Sequence, residues 1–215
     1  AKMLNPKIKV IGVEPANAAS MTAALKAGEP VELDSADTIA DGTAVKKVGD
    51  KNLPYVQENV DDILLVEDHE LVTAFLDMVE NHKMIVENSG LLTVAALRHL
   101  NFTGKKVVSI LSGGNMDVIT MSSVVQQGLL LRNRIFTVSV QLPDKPGELT
   151  KVAGVIAKAN GNVIKLEHNQ FVSINRSAAV ELKITLEAFG TEHKEQILEA
   201  LRKAGYDPRV RRVNM

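Results

Sequence analysis

The period of the hydrophobic pattern changes near Arg134, and this change divides the 215-residue chain into two halves. Before it, continuous apolar runs alternate with segments of helical spacing; after it, apolar and polar residues alternate one by one. A continuous run is typical of a strand buried on both faces of a parallel sheet, whereas strict alternation is typical of a sheet with one covered face and one face in water. The sequence therefore predicts two domains, residues 1–131 and 134–215, with a short linker around residues 126–133.

In the first half, predicted strands alternate with predicted helices. The strands are IKVIGV (residues 8–13), DDILLV (61–66) and KKVVSIL (105–111), and the helices cover residues 18–27, the segment after Asp68 and residues 91–100. We expect Gly28 to end the first helix and Asp68 to cap the second. In the second helix, the apolar residues that fall at helical spacing are Leu71, Val72, Phe75, Met78 and Val79. This alternation indicates an α/β fold with a parallel sheet.

In the second half, the predicted order of elements is βαββαβ, which is the ferredoxin-like arrangement. The strands are IFTVSVQL (residues 135–142), NVIKLEHNQF (162–171), AVELKITLEAF (179–189) and RVRRV (209–213). In the first of them, Phe136 and Val138 belong to the apolar face, while Thr137 and Ser139 belong to the face expected in water. About 80 residues are enough for a complete small domain of this kind.

The composition excludes several classes of function. The chain has no cysteine, so it has no disulfide, thiolate nucleophile or cysteine-based zinc site. Its net charge of -1 gives no electrostatic reason to bind nucleic acid or an anionic membrane. No apolar run approaches the roughly 20 residues of a membrane span, and no signal peptide is visible. None of the five histidines lies at metal-ligand spacing from another. We therefore expect a cytoplasmic protein without a metal site.

The apolar run before Ser112 ends in an unusual loop, Ser112-Gly113-Gly114-Asn115, called here the SGGN loop. A turn alone does not need a hydroxyl, two glycines and a carboxamide, so the loop is a candidate ligand site. The alternative from the residues alone is a plain glycine turn after a strand. Asn115 is also a candidate cap for a helix over residues 116–131.

Five segments of the first half resemble, in order, the threonine ammonia-lyases (threonine dehydratases), which are pyridoxal-phosphate enzymes of the tryptophan-synthase-β fold type. They are VIGVEPANA (residues 10–18), TIADGTAV (38–45), VDDILLVEDHEL (60–71), IVENSG (85–90) and SILSGGNMD (109–117). Serine racemases and serine dehydratases share several of these segments. The resemblance implies a catalytic domain of pyridoxal-phosphate fold type II.

The second half resembles an ACT domain, an amino-acid-sensing module of metabolic enzymes. The likeness lies in the βαββαβ order, the LPDKPGEL turn (residues 142–149) and ANGNVI (159–164). An ACT domain directly behind the first half favours a threonine ammonia-lyase over a serine racemase.

The first resemblance implies roles for the SGGN loop. The Ser112 hydroxyl would contact the ring nitrogen of pyridoxal phosphate. Gly113 and Gly114 would let the backbone approach the cofactor closely. Asn115 would hold the loop by local hydrogen bonds while also capping the next helix.

The same resemblance implies that Glu87 lies near the cofactor ring, although a carboxylate there could instead stabilise the start of the following helix. Asp41 and Gly42 resemble a turn beside the active site, and Asp-Gly is also a common turn by itself.

Glu14 matches a residue that helps to bind a divalent cation in serine racemases. Because Ser20 stands where that site needs an acidic residue, we expect a structural role for Glu14.

Two features of the family do not occur in this sequence. The cofactor lysine of the family lies in a Ser-Phe-Lys-x-Arg-Gly motif, and its phosphate loop is a run of glycines. We therefore expect this chain to be the C-terminal portion of such an enzyme and to be inactive alone, because it lacks the covalent anchor and the base. A partial catalytic domain would also expose apolar surface, which predicts aggregation or pairing with another chain.

The second resemblance implies an amino-acid effector site between two ACT domains. A helix N-terminus offers free N–H groups to a carboxylate, and an aspartate can accept from an ammonium. The residues implied are Asp144, Gly147, Leu149, Asn160, Asn162 and Ile164. The alternative is that Asp144 only caps its helix and the domain only dimerises. We expect a homodimer through these sheets, because side-by-side pairing satisfies an open edge strand.

The resemblance as a whole implies an enzyme that converts threonine to 2-oxobutanoate and ammonia, with serine as a poorer substrate and isoleucine or valine as candidate effectors. Two alternatives stay open at this point. One is a stand-alone amino-acid-binding regulator, and the other is a relative of serine racemase or serine dehydratase.

Overall fold

The computed structural model describes residues 1–169 and 180–211. The chain separates into two compact units, with the boundary after Gly128. The first unit contains β1 (Ile11–Pro15), α1 (Ser20–Ala27), α2 (Asn52–Asn59), β2 (Asp62–Val66), α3 (Asp68–Asp77), α4 (Leu92–Ala95) and most of α5 (Val118–Leu131). None of the described helices is long and apolar enough to cross a membrane.

The two strands of the first unit form a parallel pair. Their register runs from Ile11 opposite Asp62 to Pro15 opposite Val66. Parallel neighbours need a crossover connection, and α1 and α2 provide it. The predicted α/β fold with a parallel sheet is therefore confirmed, although β1 begins three residues later than expected.

Helix α3 supplies the centre of the core of the first unit. Leu71, Val72 and Phe75 lie on one stripe of α3 and are fully buried, as their helical spacing predicted. The start of the helix differs from the expectation. Glu67 precedes α3 and donates its N–H to the carboxylate of Glu70, so Asp68 is not the cap.

The prediction of a strand over residues 105–111 is wrong. Residues 105–117 form no helix or strand, and Val108 and Ile110 are 87% and 72% exposed. A strand needs a neighbour for its backbone groups, and no described strand pairs with this segment. Side chains hold it instead: the Thr93 hydroxyl donates to the carbonyl of Ile110 at 3.0 Å.

Helix α5 occupies most of the expected linker, so only residues 132–134 lie between α5 and the next strand. Asp117 caps α5, because its carboxylate accepts from the N–H groups of Ile119 at 2.8 Å and Thr120 at 3.0 Å. Hydrogen bonds from Thr120 lower the pKa of Asp117. Asn115 is therefore not the helix cap that the sequence predicted.

The second unit contains β3 (Ile135–Leu142), α6 (Glu148–Lys158), β4 (Asn162–Asn169), β5 (Val180–Glu187), α7 (Thr191–Lys203) and β6 (Arg209–Arg211). The four strands form an antiparallel sheet in the order β4-β5-β3-β6. The predicted βαββαβ arrangement is thus confirmed. The predicted strand ends at Gln170, Phe171, Ala179, Arg212 and Val213 lie outside the described residues.

The alternation of β3 places its apolar side chains against the two helices of the second unit. Phe136, Val138, Val140 and Leu142 are buried with the inward residues of β5 and with Val152, Ile156, Ile197, Leu198 and Leu201 of the helices. This face of the sheet is the one that the sequence predicted to be covered.

The other face of the sheet is less exposed to solvent than the alternation predicted. Thr137 and Ser139 are buried on it, because the Thr137 hydroxyl pairs with Thr185 at 2.9 Å and the Ser139 hydroxyl donates to Glu181 at 2.5 Å. Arg211 also donates to Glu181 at 3.3 Å. The hydrogen bond from Ser139, together with Lys183 and Arg211, lowers the pKa of Glu181 against a smaller opposing effect of burial.

Two glycines in helices make a matched test of how closely α5 packs on α3. A Cβ on Gly128 would lie 2.4 Å from Cδ1 of Leu76 and 2.7 Å from its Cγ, whereas a Cβ on Gly154 of α6 would meet nothing within 4 Å. We expect Gly128→Ala to lower the free energy of unfolding by about 1–3 kcal/mol through overpacking. Gly154→Ala should raise it by about 0.5–1 kcal/mol, because alanine is the better helix former. Urea titration measures both, and equal effects of the two substitutions would contradict the packing of Gly128.

The carboxylate of Glu181 should make stability depend on pH. Because its pKa is lowered from 4.5 in the folded protein, its contribution is fully present above about pH 4.5 and is lost as the pH falls through the lowered value. We therefore expect Glu181→Gln to lower the urea midpoint at pH 7 and to have little effect at strongly acidic pH. Glu195→Gln, at an exposed position of α7, is the control. A difference between wild type and Glu181→Gln that grew on acidification would contradict the expectation.

Candidate functional site

Three segments of the first unit that the sequence singled out lie together in the structure. They are the turn with Asp41 and Gly42, the segment with Glu87, and the SGGN loop. A Cβ on Gly42 would lie 3.7 Å from Oε1 of Glu87, and a Cβ on Gly113 would lie 2.0 Å from the same oxygen. Segments far apart in the sequence therefore converge around one carboxylate.

The turn Asp41–Thr43 is positioned by a side chain at the start of α3. The Asp68 carboxylate accepts from the hydroxyl of Thr38 at 2.5 Å and from the N–H of Ile39 at 3.2 Å. Asp68, which the sequence analysis took for a helix cap, thus connects the start of α3 to the chain just before this turn. Asp41 itself is exposed, and its carboxylate accepts from the N–H of Gly42 at 2.9 Å.

The segment 87–90 runs against both of the other segments. The side-chain amide nitrogen of Asn88, Nδ2, donates to the carbonyl of Ile39 at 3.0 Å. A Cβ on Gly90 would lie 1.8 Å from the carbonyl oxygen of Ser112, so only glycine permits this approach. Glu87 accepts from the N–H of Asn115 at 2.9 Å. The carboxylate thus contacts the SGGN loop and does not cap the helix behind it.

The SGGN loop presents an exposed hydroxyl. Ser112 is exposed, and its hydroxyl has no hydrogen-bond partner in the described part of the chain. Gly113 has φ +83°, which is the left-handed region that favours glycine. A Cβ on Gly114 would meet nothing within 4 Å, so space is open beside the loop. The loop can therefore offer a hydroxyl and accessible backbone to a ligand.

Two buried polar atoms beside this convergence have no partner among the described residues. They are Oδ1 of Asn88, whose residue is only 3% exposed, and the hydroxyl oxygen of Ser89. Buried polar atoms are nearly always hydrogen-bonded, so water or a ligand is the expected partner of each of these atoms. Nothing in the sequence pattern distinguished Asn88 or Ser89 from turn residues.

Glu14 has the structural role that was expected. Its carboxylate accepts from the N–H groups of Met21 and Thr22 at 2.7 and 2.8 Å and from the Thr22 hydroxyl at 2.6 Å. All these donors lie at the start of α1, where the first N–H groups have no partner within the helix. Across residues 1–169 and 180–211, no group of three or more histidine, aspartate or glutamate side chains is arranged to hold a metal.

The residues implied for an effector fall into two groups at opposite ends of α6. Asp144, Gly147 and Leu149 lie at its start, where Gly147 has φ +90°. Asn160 follows its end with φ +58°, and Asn162 and Ile164 continue into β4. A helix of 11 residues is about 16 Å long, so the two groups do not meet within one chain.

Asn160 lines a concavity of about 420 Å³ at the start of α7, together with Phe189 and His193. The Phe189 N–H donates to Nδ1 of His193 at 3.1 Å, and Nε2 lies 2.7 Å from the carbonyl of Ala159. This arrangement requires the neutral Nε2–H tautomer, in which Nε2 donates. The ring also stacks on Phe189 with centroids 4.8 Å apart. Both ring nitrogens of the buried His193 therefore have hydrogen-bond partners. No pattern in the sequence indicated this arrangement.

Comparison with known proteins gives a consistent result. The family described as pyridoxal-phosphate dependent enzyme matches residues 1–113, which is more than half of the chain. The L-threonine ammonia-lyase of Thermotoga maritima is 34% identical over 97% of this chain and 52% of that protein. The L-threonine ammonia-lyase of Geobacter sulfurreducens is 37% identical over 94% of this chain and 51% of that protein.

Among solved structures, the processed form of threonine deaminase isoform 2 from Solanum lycopersicum is similar with a TM-score of 0.54 and 35% identity. The match covers 59% of this chain and 38% of that one. The chain spans about half the length of the two curated relatives. The predicted resemblance and the fold type of the first half are confirmed, and the cofactor of the family is pyridoxal phosphate. The chain belongs to the family of pyridoxal-phosphate-dependent enzymes.

Proposed function

We propose that this chain is part of a threonine ammonia-lyase, which deaminates threonine to 2-oxobutanoate and ammonia. The observation that carries the proposal is the convergence of three segments on a loop whose Ser112 hydroxyl is exposed and unpartnered among the described residues. The relatives named L-threonine ammonia-lyase support the choice of reaction. In this proposal the enzyme works in the cytoplasm on free amino acids.

The unpartnered polar atoms fit a cofactor that presents several hydrogen-bonding groups. Pyridoxal phosphate, when bound, withdraws electrons from the α-carbon of an amino acid. Ser112 would hold the ring nitrogen by a hydroxyl, which suits a neutral pyridine; a pyridinium would pair better with a carboxylate. Gly113 and Gly114 would supply backbone that lies close to the ring. The turn with Asp41 and Gly42 would border the same space.

By resemblance to the family, the base that removes the α-proton is the lysine that forms the Schiff base with the cofactor. None of its lysines has the Ser-Phe-Lys-x-Arg-Gly context of the family. The proposal therefore assigns the lysine and the phosphate loop to a further segment of the enzyme, and this chain alone should not catalyse. The exposed side chains of Val108 and Ile110 are apolar surface that such a segment would cover.

The second unit is proposed to be an ACT regulatory domain that binds an amino acid between two copies. Asp144 and Gly147 lie at one end of α6 and Asn160 at the other, so one site that uses both groups requires a second chain. Side-by-side pairing of the sheets would supply it and would satisfy an edge strand. Isoleucine and valine are the candidate effectors.

The cofactor contact is tested by Ser112→Ala in the complete enzyme that contains the lysine segment. Loss of one hydrogen bond to the ring should lower kcat/KM for threonine by about 10- to 100-fold and shift the absorbance of the bound cofactor. Ser122→Ala, at an exposed position of α5, is the matched control and should change neither. An unchanged cofactor spectrum in Ser112→Ala would exclude Ser112 as the contact. Faster turnover of serine than of threonine by the wild type would favour a serine dehydratase instead.

The regulatory role is tested by calorimetric titration of the chain with isoleucine, valine, threonine and serine. We expect saturable heat with isoleucine or valine, and binding at least about tenfold weaker after Asp144→Asn, because that carboxylate would lose its charge toward the ammonium group. Asp50→Asn, an exposed change in the first unit, is the control.

Two outcomes of this titration count against the regulatory proposal. The absence of heat with all four amino acids would leave the second unit without a sensing role. Light scattering that found only monomer at saturating effector would contradict a site completed by two copies.

A further inference from the structure

The three segments converge on the side chain of Glu87. Its Oε2 accepts from the N–H of Asn115 at 2.9 Å. Its Oε1 lies against Gly113, 2.0 Å from the position of a Cβ there, and 3.7 Å from the corresponding position at Gly42. The two carboxylate oxygens thus contact the backbone of the SGGN loop at two residues.

The loop needs such a constraint because its own sequence gives little. Two consecutive glycines have access to many backbone conformations, and no strand pairing holds residues 105–117 in the described structure. Gly113 nevertheless has the left-handed φ of +83°. Glycine adopts this φ without strain but does not require it, so contacts with other residues can select it. The Glu87 carboxylate makes such contacts on both sides of Gly114.

We propose that Glu87 is the positioning residue of the SGGN loop: its carboxylate holds Gly113 and Asn115 in one backbone conformation and so directs the hydroxyl of Ser112. Glu87 acts through the loop rather than by contact with the cofactor. The inference rests on the proposed function in one respect, namely that Ser112 is the group that the loop presents. The position of the backbone itself does not depend on any ligand.

This role distinguishes two substitutions of Glu87. Glutamine keeps an oxygen of the same reach that accepts from Asn115, whereas alanine removes both the acceptor and the contact with Gly113. The role also distinguishes the two glycines, because a Cβ on Gly113 would overlap Glu87 while a Cβ on Gly114 would meet nothing within 4 Å.

The first measurement is hydrogen exchange of the Asn115 amide in the ligand-free chain. Glu87→Ala should speed the exchange by about 10- to 100-fold, because a hydrogen bond to a charged acceptor is lost. Glu87→Gln should restore exchange to within about threefold of wild type, since the acceptor remains. Glu58→Ala, at an exposed position of α2, is the control for removal of a carboxylate. Thermal unfolding establishes that each variant is folded.

The second measurement is a double-mutant cycle. Gly113→Ala should speed exchange at Asn115 in both backgrounds, because a φ of +83° disfavours any side chain there. The effect should be smaller after Glu87→Ala, because the overlap with the carboxylate is then gone. Gly114→Ala should have the same effect in both backgrounds. Equal effects of Gly113→Ala in both backgrounds, or unchanged exchange in Glu87→Ala, would overturn the proposal.

These results are separable from the proposed function. Exchange at Asn115 that depends on Glu87 supports its role as the positioning residue even if Ser112→Ala leaves the cofactor spectrum unchanged, and in that case only the cofactor role of Ser112 fails. Exchange that does not depend on Glu87 overturns its role as the positioning residue, whatever Ser112→Ala does to the spectrum.

Discussion

The close approach of separate backbone segments is the constraint on which the candidate site depends. The carbonyl of Ser112 passes so near Gly90 that any side chain there would overlap it, and the carboxylate of Glu87 occupies the space that a side chain on Gly113 would need. Both glycines are therefore required by contact across the site, and the left-handed φ of Gly113 adds a second reason at that position. The glycines permit the approach, but they do not enforce it. Enforcement comes from a few side-chain hydrogen bonds, made by Asp68, Asn88 and Glu87.

Such a site is less rigid than one built on a strand end. Each of these hydrogen bonds contributes on the order of 1 kcal/mol, whereas a strand is held by a ladder of bonds and by packing on both faces. Because the segment before the SGGN loop lacks a strand partner in the described structure, Val108 and Ile110 contribute little to the core, while the partly buried Leu111 packs against it. Single hydrogen bonds to side chains hold this part of the chain instead, from Thr93 to the carbonyl of Ile110 and from the N–H of Asn115 to Glu87.

The features that the sequence predicted correctly are those that follow from local periodicity. The stripe of α3 and the alternation of β3 appear as expected, since burial of an apolar stripe needs no knowledge of distant residues. The failures involve nonlocal partners. The run at 105–111 has the composition of a strand, but pairing is decided elsewhere in the molecule. Asp68 has the position of a cap, yet its carboxylate binds Thr38 and Ile39, which are about 30 residues earlier.

Candidate-site residues divide in the same way. Resemblance found Gly42, Glu87 and the SGGN loop, and the structure brings them together. It gave no signal for Asn88 or Ser89, because a buried polar atom without a partner is a property of the packed structure. It also implied that Glu87 lies near the cofactor ring, which stays a prediction, and it gave no sign that the Glu87 carboxylate accepts from the backbone of the loop. Residue type and motif order predict where a site lies, but the atoms that each side chain contacts follow from the fold.

The geometry of the second unit has a consequence for regulation under the proposed function. Because the two groups of effector residues lie at opposite ends of α6, a ligand that needs both can bind only where two copies meet. Ligand binding and pairing of the two copies are then thermodynamically coupled. The ligand stabilises the pair, and pairing raises the affinity for the ligand by the same factor. Effector affinity should therefore rise with protein concentration in the range where the pair dissociates. A site contained within one chain would show no such dependence, so the concentration dependence of affinity separates sensing between copies from sensing within one.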